Sequence, residues 1–532
     1  MKKGFTLIEL IAVITLLGIL VILVIPSILN LIKNKEGELQ DTSNEILYKA
    51  TELYISKYNN YDLVNGNIYC VSLNKLAEEK LISVPFINPI TNEEVSLDKN
   101  VEVKIINKSY VYSFPDSCSE KLVYNDGTGA NNPDLLNKMI PIKYDGSKWV
   151  YADIYSNWYD YSNKNWANAV ILNNGVTKNI GDEIKENDIA LWYVWIPRYK
   201  YTIFNGNNGS INEQLIDVTF EKNTNTTGTV VCKNNSDGSE ICTDKRNDNV
   251  TDNVSTYTHP AFTFGGKELS GIWVGKYEVS TTDSTCNSNS NSSNCNKLLT
   301  ITIKPNISSL RNVNVSNFFD SIQNITEDYE LTGIDSHMIK NMEWGAVAYL
   351  KQSKYGLGIE DIGINNNSNY ITGCGAAAGS SESTTCNAYN TTNGMKASTT
   401  GNIYGIYDMS GDSWEYVMGN MLNSSNAFYS SGAGFSNIPT SKYYDKYKYD
   451  SSSNTTHTRG KLGDATKETL KVFGSYTGGW YGDYAIFLNS SSSWLSRGGG
   501  FSDGSYAGMF YFDDDNGVNG YSLSTRAVMV SS

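Results

Sequence analysis

The sequence predicts an α+β protein in two parts: a long N-terminal α-helix bearing a small α+β head, then a large α+β domain. Three observations predict it. An apolar run from Phe5 to Ile25 continues into a stretch, Glu38 to Tyr58, where Ile46, Leu47, Ala50, Leu53 and Tyr54 recur at helical spacing. Val101-Glu102-Val103-Lys104-Ile105 alternates as a half-buried strand does. Beyond Asn137 the texture turns aromatic and β-rich, and 532 residues are too many for one core.

Taken in order, residues 1–4 form a short basic leader and 5–58 one helix, roughly 80 Å long at 1.5 Å per residue. Residues 59–118 form the small head, with a helix near Leu73 to Glu79 and strands near Val101–Ile106 and Tyr110–Phe114. Between them, Asn88-Pro89-Ile90-Thr91-Asn92 is turn chemistry. Residues 119–140, with Gly-Thr-Gly-Ala-Asn-Asn-Pro at their centre, read as a linker. Trp149, Trp158, Tyr159, Tyr161 and Trp166 mark 141–185 as an aromatic β-rich adaptor. The large domain is 186–532, opening on the strand Trp192-Tyr193-Val194-Trp195-Ile196-Pro197. Low-complexity loops fall at 223–253, 284–296, 365–369 and 451–458.

The net charge is -14 and nothing basic clusters beyond the leader, which disfavours nucleic-acid binding as the main function. The 37 Tyr and 45 Gly, with abundant Asn and Ser, suit recognition surfaces, where Tyr gives contact area at low entropy cost; codon bias is the alternative source. Eight cysteines fall into local pairs, Cys70 with Cys118, Cys232 with Cys242, Cys286 with Cys295 and Cys374 with Cys386. In an exported chain such pairs form disulfides, which staple loops with little core of their own. Zinc is disfavoured, because no C-x-x-C exists and the three histidines, His259, His337 and His457, are far apart.

The first nine residues, Met1-Lys2-Lys3-Gly4-Phe5-Thr6-Leu7-Ile8-Glu9, differ from a secretory signal. The small residue precedes the apolar segment instead of following it, and a carboxylate stands where lipid burial is expensive. This stretch resembles the class III signal of type IV pilins and pseudopilins. The resemblance implies that a prepilin peptidase cuts after Gly4 and that Phe5 becomes the methylated N-terminus. Glu9 would then pair with the terminal amine of a neighbouring subunit, a partner that a lone anion in the bilayer requires. Pro26 falls where many pilins bend their helix. The implied location is the cell membrane, crossed once, with extracellular C-terminal domains and a pilus or pseudopilus if assembly occurs. The implied partners are other pilin subunits. The small head is similar to pilin heads, with Cys70 and Cys118 closing its far side.

A second resemblance covers Trp192 to the C-terminus. Gly271-Ile272-Trp273-Val274-Gly275-Lys276-Tyr277-Glu278-Val279-Ser280, Met342-Glu343-Trp344-Gly345-Ala346-Val347-Ala348-Tyr349, Tyr404 to Tyr416, Ser496-Arg497-Gly498-Gly499-Gly500-Phe501 and Ser524-Thr525-Arg526-Ala527-Val528-Met529 follow one another. Their order resembles the formylglycine-generating-enzyme-type domain, a C-type-lectin-like fold. Gly500 and Phe501 replace that family's Ser-Trp, and Asp412 its Asn. No cysteine follows Cys386, so the thiol mechanism of its enzymes has no thiol. The resemblance therefore implies a binding module, not an enzyme, with no required cofactor. Relatives place calcium by the Asp412–Glu415 turn; local capping or pairing of Glu415 is the alternative.

Between Gly498 and the C-terminus, small and apolar residues alternate with Asp503, Ser505, Tyr506, Tyr511, Asp513, Asp514, Asp515, Asn516, Asn519 and Tyr521. The same region is variable in C-type-lectin-like proteins diversified by retroelements; a fixed polar surface is the alternative. These residues, with Phe501, form the expected ligand surface for an extracellular protein or glycan. Tyr511 is expected to anchor the ligand and Phe510 to fill the core. The rival functions are a surface-tethered formylglycine-generating-type enzyme and a purely structural fibre-tip pseudopilin.

Overall fold

The computed structural model describes residues 40–58, 61–203, 212–229, 232–234, 240–242, 256–286, 293–451, 460–472 and 474–532. The chain forms two compact units, Met1–Val123 and Tyr124–Ser532. Gly4, Phe5, Glu9 and the expected membrane half of the helix lie outside the described residues; no described helix is long and apolar enough to cross a membrane.

In the first unit, a helix over 40–58 buries Leu47, Ala50, Thr51 and Ile55. The spacing i, i+3, i+4, i+8 is one helical stripe, and Thr51 hides its hydroxyl by donating it to the Leu47 carbonyl at 2.8 Å. Ile46 and Leu53, expected on the core stripe, are instead 49% and 60% exposed, so the helix carries a second, outward apolar row. The buried stripe shares a core with Val71, Leu73, Leu76, Val101, Val103 and Ile105. Those residues come largely from an antiparallel sheet with Asn100–Ile106 between Ile68–Ser72 and Ser109–Ser113. The short helix Leu73–Glu78 starts where the Ser72 hydroxyl accepts the Lys75 N–H. Asn88 makes the expected turn, its side-chain oxygen accepting the N–H groups of Ile90 and Thr91. Cys70 is bonded to Cys118.

The second unit is organised by a seven-stranded antiparallel sheet. Its order is Ile334–Met338, Ala527–Ser531, Gly271–Gly275, Ile189–Pro197, Asn168–Leu172, Ile140–Tyr144 and Trp149–Tyr151. The strand Ile189–Pro197 is buried at every position, hence its unbroken apolar run. A second sheet runs Asp445–Tyr447, Trp414–Met421, Trp494–Gly498 and Gly508–Asp515, with Leu523–Thr525 pairing alongside Trp414 to Tyr416. The helix Asn341–Lys351 opens with the Glu343 carboxylate accepting the Lys340 N–H at 2.8 Å. Glu343 also meets Nε2 of the buried His337 at 3.0 Å, while Asp335 meets Nδ1 at 3.1 Å.

Two expected boundaries change. Residues 141–185 are no separate adaptor, because their strands extend the main sheet and Trp149, Trp158 and Trp166 join the main core. The expected linker, 119–140, is free of neither unit. Asn131 is buried and donates to the Glu221, Asn223 and Ser270 carbonyls, while the Asp134 carbonyl accepts the Trp273 indole N–H at 2.7 Å. Polar turn residues read as a spacer from composition, yet their side chains satisfy buried backbone groups. Cys286–Cys295 and Cys374–Cys386 are bonded. The backbones of Cys232 and Cys242 face each other in a short ladder, and the link itself lies outside the described side chains.

Candidate ligand-binding face

The strand Trp494–Gly498 turns through Gly498 and Gly499, both at positive φ, into Gly500. A Cβ on Gly500 would meet the Trp414 ring at 2.8 Å, so only glycine lets that indole close over the turn. The chain then climbs through Ser502 to Tyr506 and returns along Gly508–Asp515, where Phe510 and Phe512 are fully buried. The Asp483 carboxylate accepts the Phe510 N–H at 2.8 Å and leaves no room for a side chain on Gly508.

The expected surface residues divide into three sets. Tyr506 and Tyr521 are 53% and 58% exposed, and Ser505 and Asn516 are exposed with them. Phe501, Asp503, Asp513, Asp514, Asp515 and Asn519 are half-buried. Tyr511 is buried at 4% exposure, against expectation. Its hydroxyl accepts the Trp414 indole N–H at 2.8 Å, and its ring stacks on Tyr484 with centroids 5.7 Å apart. It supports the face from below instead of anchoring a ligand.

Three contributors were not foreseen. Tyr484 stacks in turn on Tyr476, 5.9 Å away and nearly parallel, and Tyr476 is 56% exposed. Trp414 joins Tyr511 to the Gly500 turn. The loop closed by Cys374–Cys386 brings Gly379 beside Ser505, about a van der Waals contact away. Two solitary tyrosines and a Ser-rich loop carry no periodic signal, and only the tertiary fold collects them.

The acidic residues also differ in role. Asp515 accepts the Tyr416 hydroxyl and the N–H groups of Asn516 and Gly517, and so holds backbone in place, while Asp514 accepts the Asn489 side-chain amide. Asp503 accepts the Gly500 N–H at 3.0 Å. Burial, then the charge of Asp514, pushes the Asp513 carboxyl up to about 7.

Beneath the turn lie Glu278, Asp408, Asp412 and Glu415, all fully buried. Arg526 grips Glu415 in a fork, Nη2 to Oε1 at 2.6 Å and Nε to Oε2 at 3.1 Å, and spends its other donors on the Gly275 and Tyr407 carbonyls. Asp408 accepts the Asn365 amide and the Gly373 N–H. Asp412 sits at positive φ; its carbonyl accepts the Phe501 N–H, but neither carboxylate oxygen has a hydrogen-bond partner. Burial, and then the charge of Asp408, raises Asp412 well above the usual carboxylate range. Burial, opposed by Arg526, pushes Glu415 up to about 7.

The expected Asp412–Glu415 calcium pair does not fit this arrangement, since Glu415 commits both oxygens to Arg526. Among the described residues, no group of three or more His, Cys, Asp or Glu is placed to hold a metal.

Residues 1–25 match the prokaryotic N-terminal methylation motif. No curated protein matches the chain. The motif supports a type IV pilin-like, surface-exposed subunit. It implies other pilins as partners and processing by a prepilin peptidase.

Proposed function

We propose that the chain is a minor, adhesive subunit of a type IV pilus-like fibre whose second unit, a C-type-lectin-like module, binds an extracellular ligand. Processing between Gly4 and Phe5 leaves the apolar helix as anchor, and Glu9 pairs with the next subunit's terminal amine. The second unit presents the face spanning Phe501 to Ser522.

One observation carries the reading: Tyr476, Tyr506 and Tyr521 stand more than half exposed beside the buried Tyr511, which is hydrogen-bonded to the half-buried Trp414. Exposed large rings cost hydration unless something covers them, and rigid tyrosines bind with little entropy lost.

The test is an extracellular-protein and glycan array probed with the mature full-length chain. Tyr506→Ala and Tyr521→Ala are each expected to weaken any hit by about 1–3 kcal/mol. Hits that survive both changes reject the face. Oxidation of peptide cysteines by the purified chain would restore the enzyme reading.

A further inference from the structure

We infer that the ligand of this face is a protein segment presenting lysine or arginine side chains. The inference rests on the site proposed above and concerns what that site accepts.

From Gly498 to Thr525 the chain carries four aspartates and not one Lys, Arg or His. The neighbouring segments continue the pattern. The loop from Cys374 to Cys386 contributes the exposed Glu382, and the segment from Ser475 to Tyr484 contributes only the buried Asp483; neither has a cation. Arg311 packs against Tyr370, its guanidinium carbon 3.7 Å from the ring centroid, but it is buried and donates to the Tyr521 carbonyl. Among the described residues these three segments are thus anionic, and an acidic glycan or peptide would meet their carboxylates with no cation of theirs to pair it.

The aromatic half of the face points the same way. A guanidinium or ammonium is attracted to a tyrosine ring face and pairs with a carboxylate beside it. Asp503 and Asp513 lie among Tyr484, Tyr506, Tyr511 and Trp414, half-buried; Asp503 accepts the Gly500 N–H and also meets Trp414, Asp513 accepts the Asp514 N–H and, at 3.4 Å, the Tyr511 hydroxyl, and a carboxylate's four lone-pair sites leave each further acceptor capacity. Partial burial strengthens such a pair relative to one in open water. The exposed tyrosines, Tyr476, Tyr506 and Tyr521, are three separate contact points, so the surface suits a protein segment with several side chains better than a lone cation.

The experiment measures binding of the mature full-length chain to three dodecapeptide pools of net charge +4, 0 and -4, and to hyaluronan as an acidic glycan. The cationic pool is expected to bind at least tenfold more tightly than the others, and to weaken several-fold between 50 and 500 mM NaCl. Asp503→Asn/Asp513→Asn is expected to weaken it at least tenfold. Glu120→Gln/Asp217→Asn, which removes exposed acids elsewhere, is expected to leave it unchanged. Equal loss in that control would reduce the binding to the overall charge of -14 and overturn the inference. If hyaluronan or the anionic pool binds best and Tyr506→Ala abolishes it, the site stands and the cationic ligand falls. Silence of every arm sinks both.

Discussion

The exposed face and the acidic layer beneath it use the same residue types to opposite ends. Tyr506 and Tyr511 are five residues apart, yet one is half in water and the other is buried and holds the Trp414 indole. Asp513 keeps acceptor capacity at the surface, whereas Asp412 is sealed under the Gly500 turn without a partner. The difference teaches that composition marks a recognition region, while strand register decides which residues recognise and which support. Binding and stability should therefore separate cleanly between the two layers.

The largest expected effect lies in the lower layer. Arg526→Ala leaves Glu415 as an uncompensated buried carboxylate, with a cost to stability of about 3–5 kcal/mol by chemical denaturation. A loss under 1 kcal/mol would mean the fork is ornamental and the layers are not distinct. Next comes Tyr511→Ala, which removes a buried ring and the partner of Trp414, at about 3–5 kcal/mol of stability. Tyr511→Phe, which deletes only the hydroxyl, costs about 1 kcal/mol. Binding lost from Tyr511→Phe with stability intact would return this residue to the ligand surface.

In the upper layer, Tyr506→Ala and Tyr521→Ala are expected to change stability by no more than about 0.5 kcal/mol while weakening ligand. Unfolding midpoints of both variants check this directly.

The remaining effects are in pH. A buried carboxyl whose folded value is raised binds its proton more tightly folded than unfolded, so Asp412 stabilises below the unfolded value and loses that contribution as pH rises. His337 is opposed by burial but held above 6.5 by Glu343 and Asp335, so its contribution is complete below 6.5 and declines as pH rises through the folded value. Stability of the second unit should accordingly fall from pH 6 to pH 8. Asp412→Asn should restore about 1–2 kcal/mol at pH 8, because an amide needs no desolvated charge. If Asp412→Asn destabilises instead, and EDTA lowers the wild-type midpoint to match, a cation occupies the layer after all.

Much of this was legible in the residues. The alternation at Val101–Ile105 gave an inward row that the strand Asn100–Ile106 keeps. Local cysteine spacing matched the bonds Cys70–Cys118, Cys286–Cys295 and Cys374–Cys386. Other features were hidden for physical reasons. Ile46 and Leu53 share helical spacing with the true core stripe, and periodicity cannot say which of two apolar rows faces inward. The segment 119–140 reads as a spacer because Asn and Gly favour turns, while the hydrogen bonds of Asn131 are visible only once its distant partners are in place. Tyr511 failed as an anchor because β-strand alternation breaks down where Gly508–Asp515 is covered on both faces.

The most direct test is hydrogen–deuterium exchange on the mature full-length chain with and without its ligand. Protection is expected to concentrate in 501–522, with smaller gains in 476–484 and 377–383 and none elsewhere in the second unit. Protection centred on 158–166 with 501–522 unchanged would contradict the account and move recognition to the aromatic segment before the main strand.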